Sequence, residues 1–258
     1  MLDIFLNASL IMLIIVTVFW IVSIINKDAS IVDLFWGLGF VIVNAYYFIS
    51  SGELFSRKIL LLILVTIWGL RLFIYLSWRN IGKGEDYRYQ GFRQKYGPDR
   101  YWWFSYFQVF LLQGALIMLV SLPLLGANIH TTSDMLTWLD ISGIILFLIG
   151  FIFEAGGDLH LARFKRDHGN KGKVLNKGLW KFKRHPNYFG DTVIWWSFGM
   201  FSLAAGSYWP LIGSVIMTLL IIKVSGVAML EKSLNDTKPE YRDYIRKTSS
   251  FIPWFPKK

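Results

Sequence analysis

Long apolar runs separated by short polar stretches dominate the chain. Seven runs approach the ~20 residues that a helix needs to cross a bilayer: roughly 4 to 25, 30 to 49, 58 to 79, 106 to 125, 138 to 160, 187 to 205 and 208 to 230. This pattern predicts an all-α integral membrane protein of about seven transmembrane helices, with 1–258 forming one domain without repeats or composition breaks. The first run follows Asp3 with no basic region before it, is longer than a signal peptide's apolar core and lacks a cleavage pattern. It reads as a retained helix.

Basic residues between the runs set an orientation. The 79 to 105 loop carries six Lys or Arg, the 161 to 186 loop nine and the tail from 231 seven, whereas 126 to 137 and 206 to 207 carry none. Positive-inside reasoning puts the N-terminus outside and the C-terminus in the cytoplasm. Arg57 and Lys58 alone lie on the wrong side, and Lys58 is expected to snorkel. In the tail, a short helix is expected from Pro239, packed under the cavity.

Charges inside the runs share one depth. Asp33, Arg71, Glu154, Asp158, Asp191, Lys223 and Glu231 all fall in the cytoplasmic half, and a single polar cavity open to the cytoplasm explains them together. Spacing strengthens the expectation: Arg71 with Tyr75, Glu154 with Asp158, and Asn187 with Asp191 are four residues apart, as is Val227 from both Lys223 and Glu231. The outer half lacks such stripes. Gly156, Gly157 and Gly190 read first as helix-packing residues.

The run Arg184-His185-Pro186-Asn187-Tyr188-Phe189-Gly190-Asp191 joins the most basic loop to an apolar helix. Pro186 suits the first helical position, and free N–H groups there beside Arg184 and His185 would make an anion site.

Composition narrows the chemistry. The chain has 258 residues, 54% of them hydrophobic, no cysteine and a net charge of +10. Thiolate catalysis, disulfides and Cys-ligated metals are excluded. Anionic lipid accounts for the positive charge, so no nucleic-acid partner is expected. No two of the four histidines lie three or four residues apart, so no metal site is expected. Gly82-Lys83-Gly84 lacks the third glycine of a dinucleotide fingerprint, Gly169 to Val174 is too short for a phosphate loop, and no Gly-x-Ser-x-Gly elbow occurs. What remains fits a large ligand with a polyanionic part and a neutral polar part. Arg184, His185, Lys165 and Lys173 would take phosphates, and Glu154, Asp158, Asn187 and Asp191 ribose or amide groups. A nucleotide cofactor meets that description, with a second, lipid substrate arriving from the bilayer.

Glu154-x-x-x-Asp158, Phe164-Lys165, Gly178-Leu179-Trp180, the run from Arg184 to Asp191, and Glu231 with Pro239-x-Tyr241 resemble the membrane steroid 5α-reductase family, especially its bacterial branch. Asp33-x-x-Trp36-Gly37 and Arg71-x-x-x-Tyr75 extend the similarity over almost the whole chain. Sterol reductases and isoprenylcysteine carboxyl methyltransferases carry close versions of the 184 to 191 run. The resemblance implies a seven-helix fold in the bacterial inner membrane, NADPH in a cytosol-facing cavity, and reduction of the Δ4 double bond of a 3-oxo-steroid or similar lipid enone. It implies cofactor contacts for Arg71, Arg79, Glu154, Asp158, Lys165, Lys173, Trp180, Arg184, His185, Asn187, Tyr188, Asp191, Lys223, Glu231 and Tyr241.

The chain departs from the family's animal members on the seventh helix, where Lys223, Val227 and Glu231 replace Arg, His and Tyr, and at Trp68, where they have a proton-donating Tyr. Asp33, Tyr75 and Tyr87 are therefore the candidates for polarising a carbonyl and supplying a proton. A burial-neutralised Asp33 would do the former. The rival enzyme reading is an S-adenosylmethionine-dependent methyltransferase, against which the basic loop argues because that cofactor carries no phosphate. A transporter is the third reading, opposed by charges confined to one half of the bilayer.

Overall fold

A computed structural model of the chain describes residues 1–80, 82–224 and 240–256. Every regular element in these residues is helical. Five helices are long and apolar enough to cross a membrane: α1 (Leu2–Asn26), α2 (Ile31–Ser50), α3 (Ser56–Asn80), α5 (Asp99–Val120) and α7 (Trp138–Arg166). Between them lie α4 (Tyr87–Tyr96) and α6 (Leu122–His130), and after them α8 (Leu179–Phe182) and α9 (Pro186–Ala204). Last come α10 (Trp209–Val224) and α11 (Glu240–Lys247). α9 coincides with the expected sixth run, but its aromatic and polar residues keep it less apolar than the five. α10 is the described part of the expected seventh run, whose remainder from 225 lies outside the described residues together with Val227, Glu231 and Pro239.

Three loops hold more helix than polarity alone suggests. The fourth run begins earlier than expected, at Asp99, and ends at Ser121, where α6 takes over through what reads as a connector. α7 continues to Arg166 because Arg163, Lys165 and Arg166 suit the negative end of a helix. α4 starts on Asp86, whose carboxylate accepts from the Arg88 N–H at 3.0 Å.

Glycines set the closest helix contacts. A Cβ on Gly37 of α2 would stand 2.5 Å from the Gly69 carbonyl of α3. One on Gly190 of α9 would collide with the α7 backbone at Gly150 and Glu154. Side chains one turn away are thereby brought across the α7–α9 seam into direct contact. Deeper in the bundle, Phe40, Trp68, Trp195 and Phe198 form a fully buried aromatic layer, with the Phe40 and Trp195 rings 4.5 Å apart.

Beyond that layer, the end of the bundle away from the basic loops is less plain than expected. Arg57 is buried and bidentate on Asp140, at 2.7 and 2.9 Å. Asn128 donates to Asn44 at 3.1 Å, and the Tyr47 and Ser121 hydroxyls meet at 3.1 Å. Lys58 does not snorkel: buried, it donates to the Ser51 and Glu53 carbonyls at 3.2 and 3.1 Å in the α2–α3 turn. Backbone carbonyls freed by the turn are nearer than water, and three ammonium protons satisfy them.

Candidate functional site

Three i, i+4 pairs meet where α3, α7 and α9 converge. Arg71 of α3 forms ion pairs with Glu154 and, at 2.8 Å, with Asp158 of α7. The Trp68 indole donates to Glu154 at 2.8 Å, and the Asn187 amide of α9 donates to Asp158 at 3.1 Å. Tyr75 adds a long hydrogen bond to the Asp158 carbonyl at 3.4 Å. Asp191, one turn beyond Asn187, lies in the field of Glu154, Arg71 and Asp158 and beside the Trp195 indole. One guanidinium thus faces three carboxylates. Two acceptors, Asn187 Oδ1 and Asp191 Oδ1, are buried without a hydrogen-bond partner.

A second cluster pins the 79 to 105 loop onto the start of α2. Asp33 accepts from Arg88 at 2.6 Å and from the Tyr89 hydroxyl at 2.7 Å, and Arg88 also bonds Asp86 at 2.9 Å. Burial opposes the Arg88 charge, but the Asp86 hydrogen bond and the Asp33 charge outweigh it and hold the guanidinium above its ordinary pKa. Burial, reinforced by Asp33, pushes the Tyr89 phenol up as well, so its proton stays on.

Between the two clusters opens a cavity of about 540 Å³. Asp33, Tyr75, Arg79, Tyr87, Glu154, Asp158, Asn187, Tyr188 and Asp191 line it; the i, i+4 spacing accounts for Tyr75, Glu154, Asp158, Asn187 and Asp191. Arg71 stands behind two of its carboxylates. The remaining lining is mostly apolar: Leu72 and Leu76 of α3, Leu112 and Leu116 of α5, and Met217, Leu220, Ile221 and Val224 of α10, with Trp36 and Gln113 among them.

The other expected cofactor contacts are elsewhere, and the basic loop does not form the anion site expected of it. The Arg184 guanidinium is bound to the Ile245 and Thr248 carbonyls at 2.9 and 3.0 Å. Carbonyls at the end of α11 lack helical partners and sit at its negative pole, so they hold the cation more firmly than a distant cavity could. Lys165 and Lys173 are exposed outside the cavity, as is Lys223. Trp180 is buried, donating to the Gly157 carbonyl at 3.2 Å. His185 is buried and stacks on Tyr188 with centroids 5.6 Å apart, and Tyr241 is buried against Tyr244. Glu231 lies outside the described residues. The described tail, expected under the cavity, packs instead on the 178 to 185 segment, where the Tyr244 hydroxyl meets the Trp180 carbonyl and, at 3.2 Å, that of Lys183.

Residues 19–248 match the family described as "Protein of unknown function (DUF1295)". The chain belongs to that family. It is 27% identical over 261 residues to uncharacterized protein C594.04c of Schizosaccharomyces pombe, covering 92% of this chain and 76% of the yeast protein. It is 37% identical over 65 residues to the probable O-methyltransferase ustE of Ustilaginoidea virens, covering 25% of this chain and 22% of that one. No solved structure matches it significantly.

In this DUF1295 member several site residues escape sequence reading. Arg88 and Tyr89 hold Asp33, yet Arg88 registers in the sequence only as a loop charge that sets orientation. Trp68 brings its indole N–H to Glu154 from within an apolar run, where tryptophan carries no polar signal, while the buried Trp195 indole N–H beside Asp191 makes no hydrogen bond. Lys183 is fully buried, 3.6 Å from the Phe189 ring centroid and 5.1 Å from that of Phe251. Its Nζ has no hydrogen-bond partner, and burial pulls its pKa down to about 6. Among the described residues no cluster of acids or histidines could hold a metal ion.

Proposed function

We propose that the chain is an NADPH-dependent reductase of lipid enones, with 3-oxo-Δ4-steroids as the reference substrate class. The observation that carries this reading is the pair of unpartnered acceptors, Asn187 Oδ1 and Asp191 Oδ1, of two residues lining a cavity to which Arg79 adds a cation. Buried acceptors call for N–H or O–H donors. A carboxamide and ribose hydroxyls supply these, while Arg79 suits a phosphate. Bound there, NADPH would supply the hydride for the β-carbon of the enone.

The chain's own residues do the rest. Leu72, Leu76, Leu112 and Leu116 exclude water from the reacting carbons. Tyr75 and Tyr87 hold phenolic protons within the cavity, one against the Asp158 carbonyl and one 68% exposed near the surface. Either Oη can polarise a carbonyl oxygen or yield the proton that balances the hydride. Both Asp33 oxygens are engaged by Arg88 and Tyr89. Asp33 therefore enters as a positioning residue, in place of the neutral acid expected from sequence. The 79 to 105 and 161 to 186 loops gather at the cavity end of the bundle, which favours that end as the cytoplasmic one; seven spans and a bacterial inner membrane complete the proposal.

Two observations favour a second reading, methyl transfer from S-adenosylmethionine to a lipid acceptor. One is the short match to a probable O-methyltransferase. The other is the surplus of carboxylates over Arg71, which would welcome a sulfonium or ammonium. Titrating the solubilised protein separately with NADPH and S-adenosylmethionine decides between them. NADPH binding that weakens in Asp191→Asn and Arg79→Ala is expected. Binding of S-adenosylmethionine alone would overturn the reductase.

A further inference from the structure

The apolar wall of the cavity carries one polar side chain that neither cluster uses. Gln113 lies on α5 between Leu112 and Leu116, facing the same cavity as the carboxylates, and its amide makes no hydrogen bond to any described residue. Leu112 of α5 and Val224 of α10, both in this wall, are 51% and 58% exposed, so the wall also meets the bilayer. A primary amide at that depth is costly unless something polar meets it, because lipid offers no partner.

The backbone points the same way. Residues Tyr106–Leu111 and Leu220–Val224 are both π-helical, and Gln113 comes two residues after the end of the first. A π turn inserts one residue into an α-helix and rotates the downstream residues by about 100°. Gln113 therefore faces the cavity through the inserted residue.

We infer that Gln113 is a specificity-determining residue that hydrogen-bonds the polar group of an apolar ligand lying between α5 and α10. This rests on the lipid-substrate half of the reading above. The amide can donate to a carbonyl or accept from a hydroxyl. The ligand class is thus a rigid lipid bearing one ketone or alcohol, with its apolar body against Leu112, Leu116, Met217 and Leu220.

The test uses the full chain in detergent, comparing wild type with Gln113→Leu, which keeps the bulk and removes the amide, and with Gln113→Asn. Progesterone binding is read by tryptophan fluorescence without cofactor, and NADPH binding is measured separately. Weakening of progesterone binding by about 3- to 10-fold in Gln113→Leu, the worth of one hydrogen bond, is expected, with partial recovery in Gln113→Asn and NADPH affinity unchanged. Equal progesterone binding by wild type and Gln113→Leu overturns the role, as does absence of binding by the wild type. Selective weakening in a protein that never binds NADPH would sustain Gln113 and sink the reductase reading alone.

Discussion

Two arginines in the apolar bundle make opposite use of their carboxylates. Arg57, beyond the aromatic layer, meets Asp140 one to one, both side chains almost wholly buried. Arg71 faces Glu154, Asp158 and Asp191 at the wall of a cavity, with acceptor oxygens left over. A closed, stoichiometric pair needs nothing further and reads as architecture. A cluster with surplus charge and open access is incomplete without a ligand or protons. Lys183 shows that surplus charge alone is insufficient: unmatched, it is walled in by Phe153, Phe189 and Phe251 away from the cavity.

The sharpest way to break this contrast is to remove one partner of the closed pair. Asp140→Ala should cost about 3–5 kcal/mol of stability, the usual penalty for stranding a buried charge. The protein that remains folded should bind NADPH as wild type does. Lower affinity in that fraction, at matched folded concentration, would mean the two ends of the bundle are coupled.

At the cavity the balance inverts. Asp191→Asn removes surplus charge, so thermal unfolding should move little or upward, while NADPH affinity falls about 10- to 100-fold with the loss of a charge-assisted hydrogen bond. A fall in stability without change in affinity would make Asp191 architectural like Asp140.

Lys183 should respond to pH with a definite sign. Its folded pKa of about 6 lies below the ordinary 10.5, so burial costs stability in full below pH 6. That cost fades as pH rises toward 10.5 and the unfolded chain also gives up the proton. Lys183→Met should raise the melting temperature by several degrees at pH 6 and by less at pH 9. An equal gain at both would show that this ammonium finds a partner.

The smallest effect belongs to the loop. Lys165→Ala and Lys173→Ala should change NADPH affinity less than about twofold, since solvent-exposed charges at a distance are screened, whereas Arg79→Ala should cost several-fold. The reverse ranking would restore the basic loop as the phosphate site.

Much of the site was legible in the sequence because it is local. Arg71 with Tyr75, Glu154 with Asp158, and Asn187 with Asp191 are pairs whose common face follows from helical period, and the depth of each follows from its distance to a run's end. Loop cations were not legible. Arg184 was free in sequence to reach any anion, and what claims it is a set of carbonyls 61 and 64 residues away.

Hydropathy and helical period by themselves determined an all-helical membrane chain with Arg71, Glu154, Asp158 and Asp191 at one depth. These are properties of single segments, and each segment is long enough to satisfy its own backbone. Only the tertiary structure decided the partners: that Arg71 is shared by two ion pairs, that Arg88 and Tyr89 close on Asp33, and that Arg184 and Lys183 belong to the tail. Such choices depend on which helices the glycines at 37, 69 and 190 allow to touch, and a close approach between segments far apart in the chain leaves no trace in the local pattern of either.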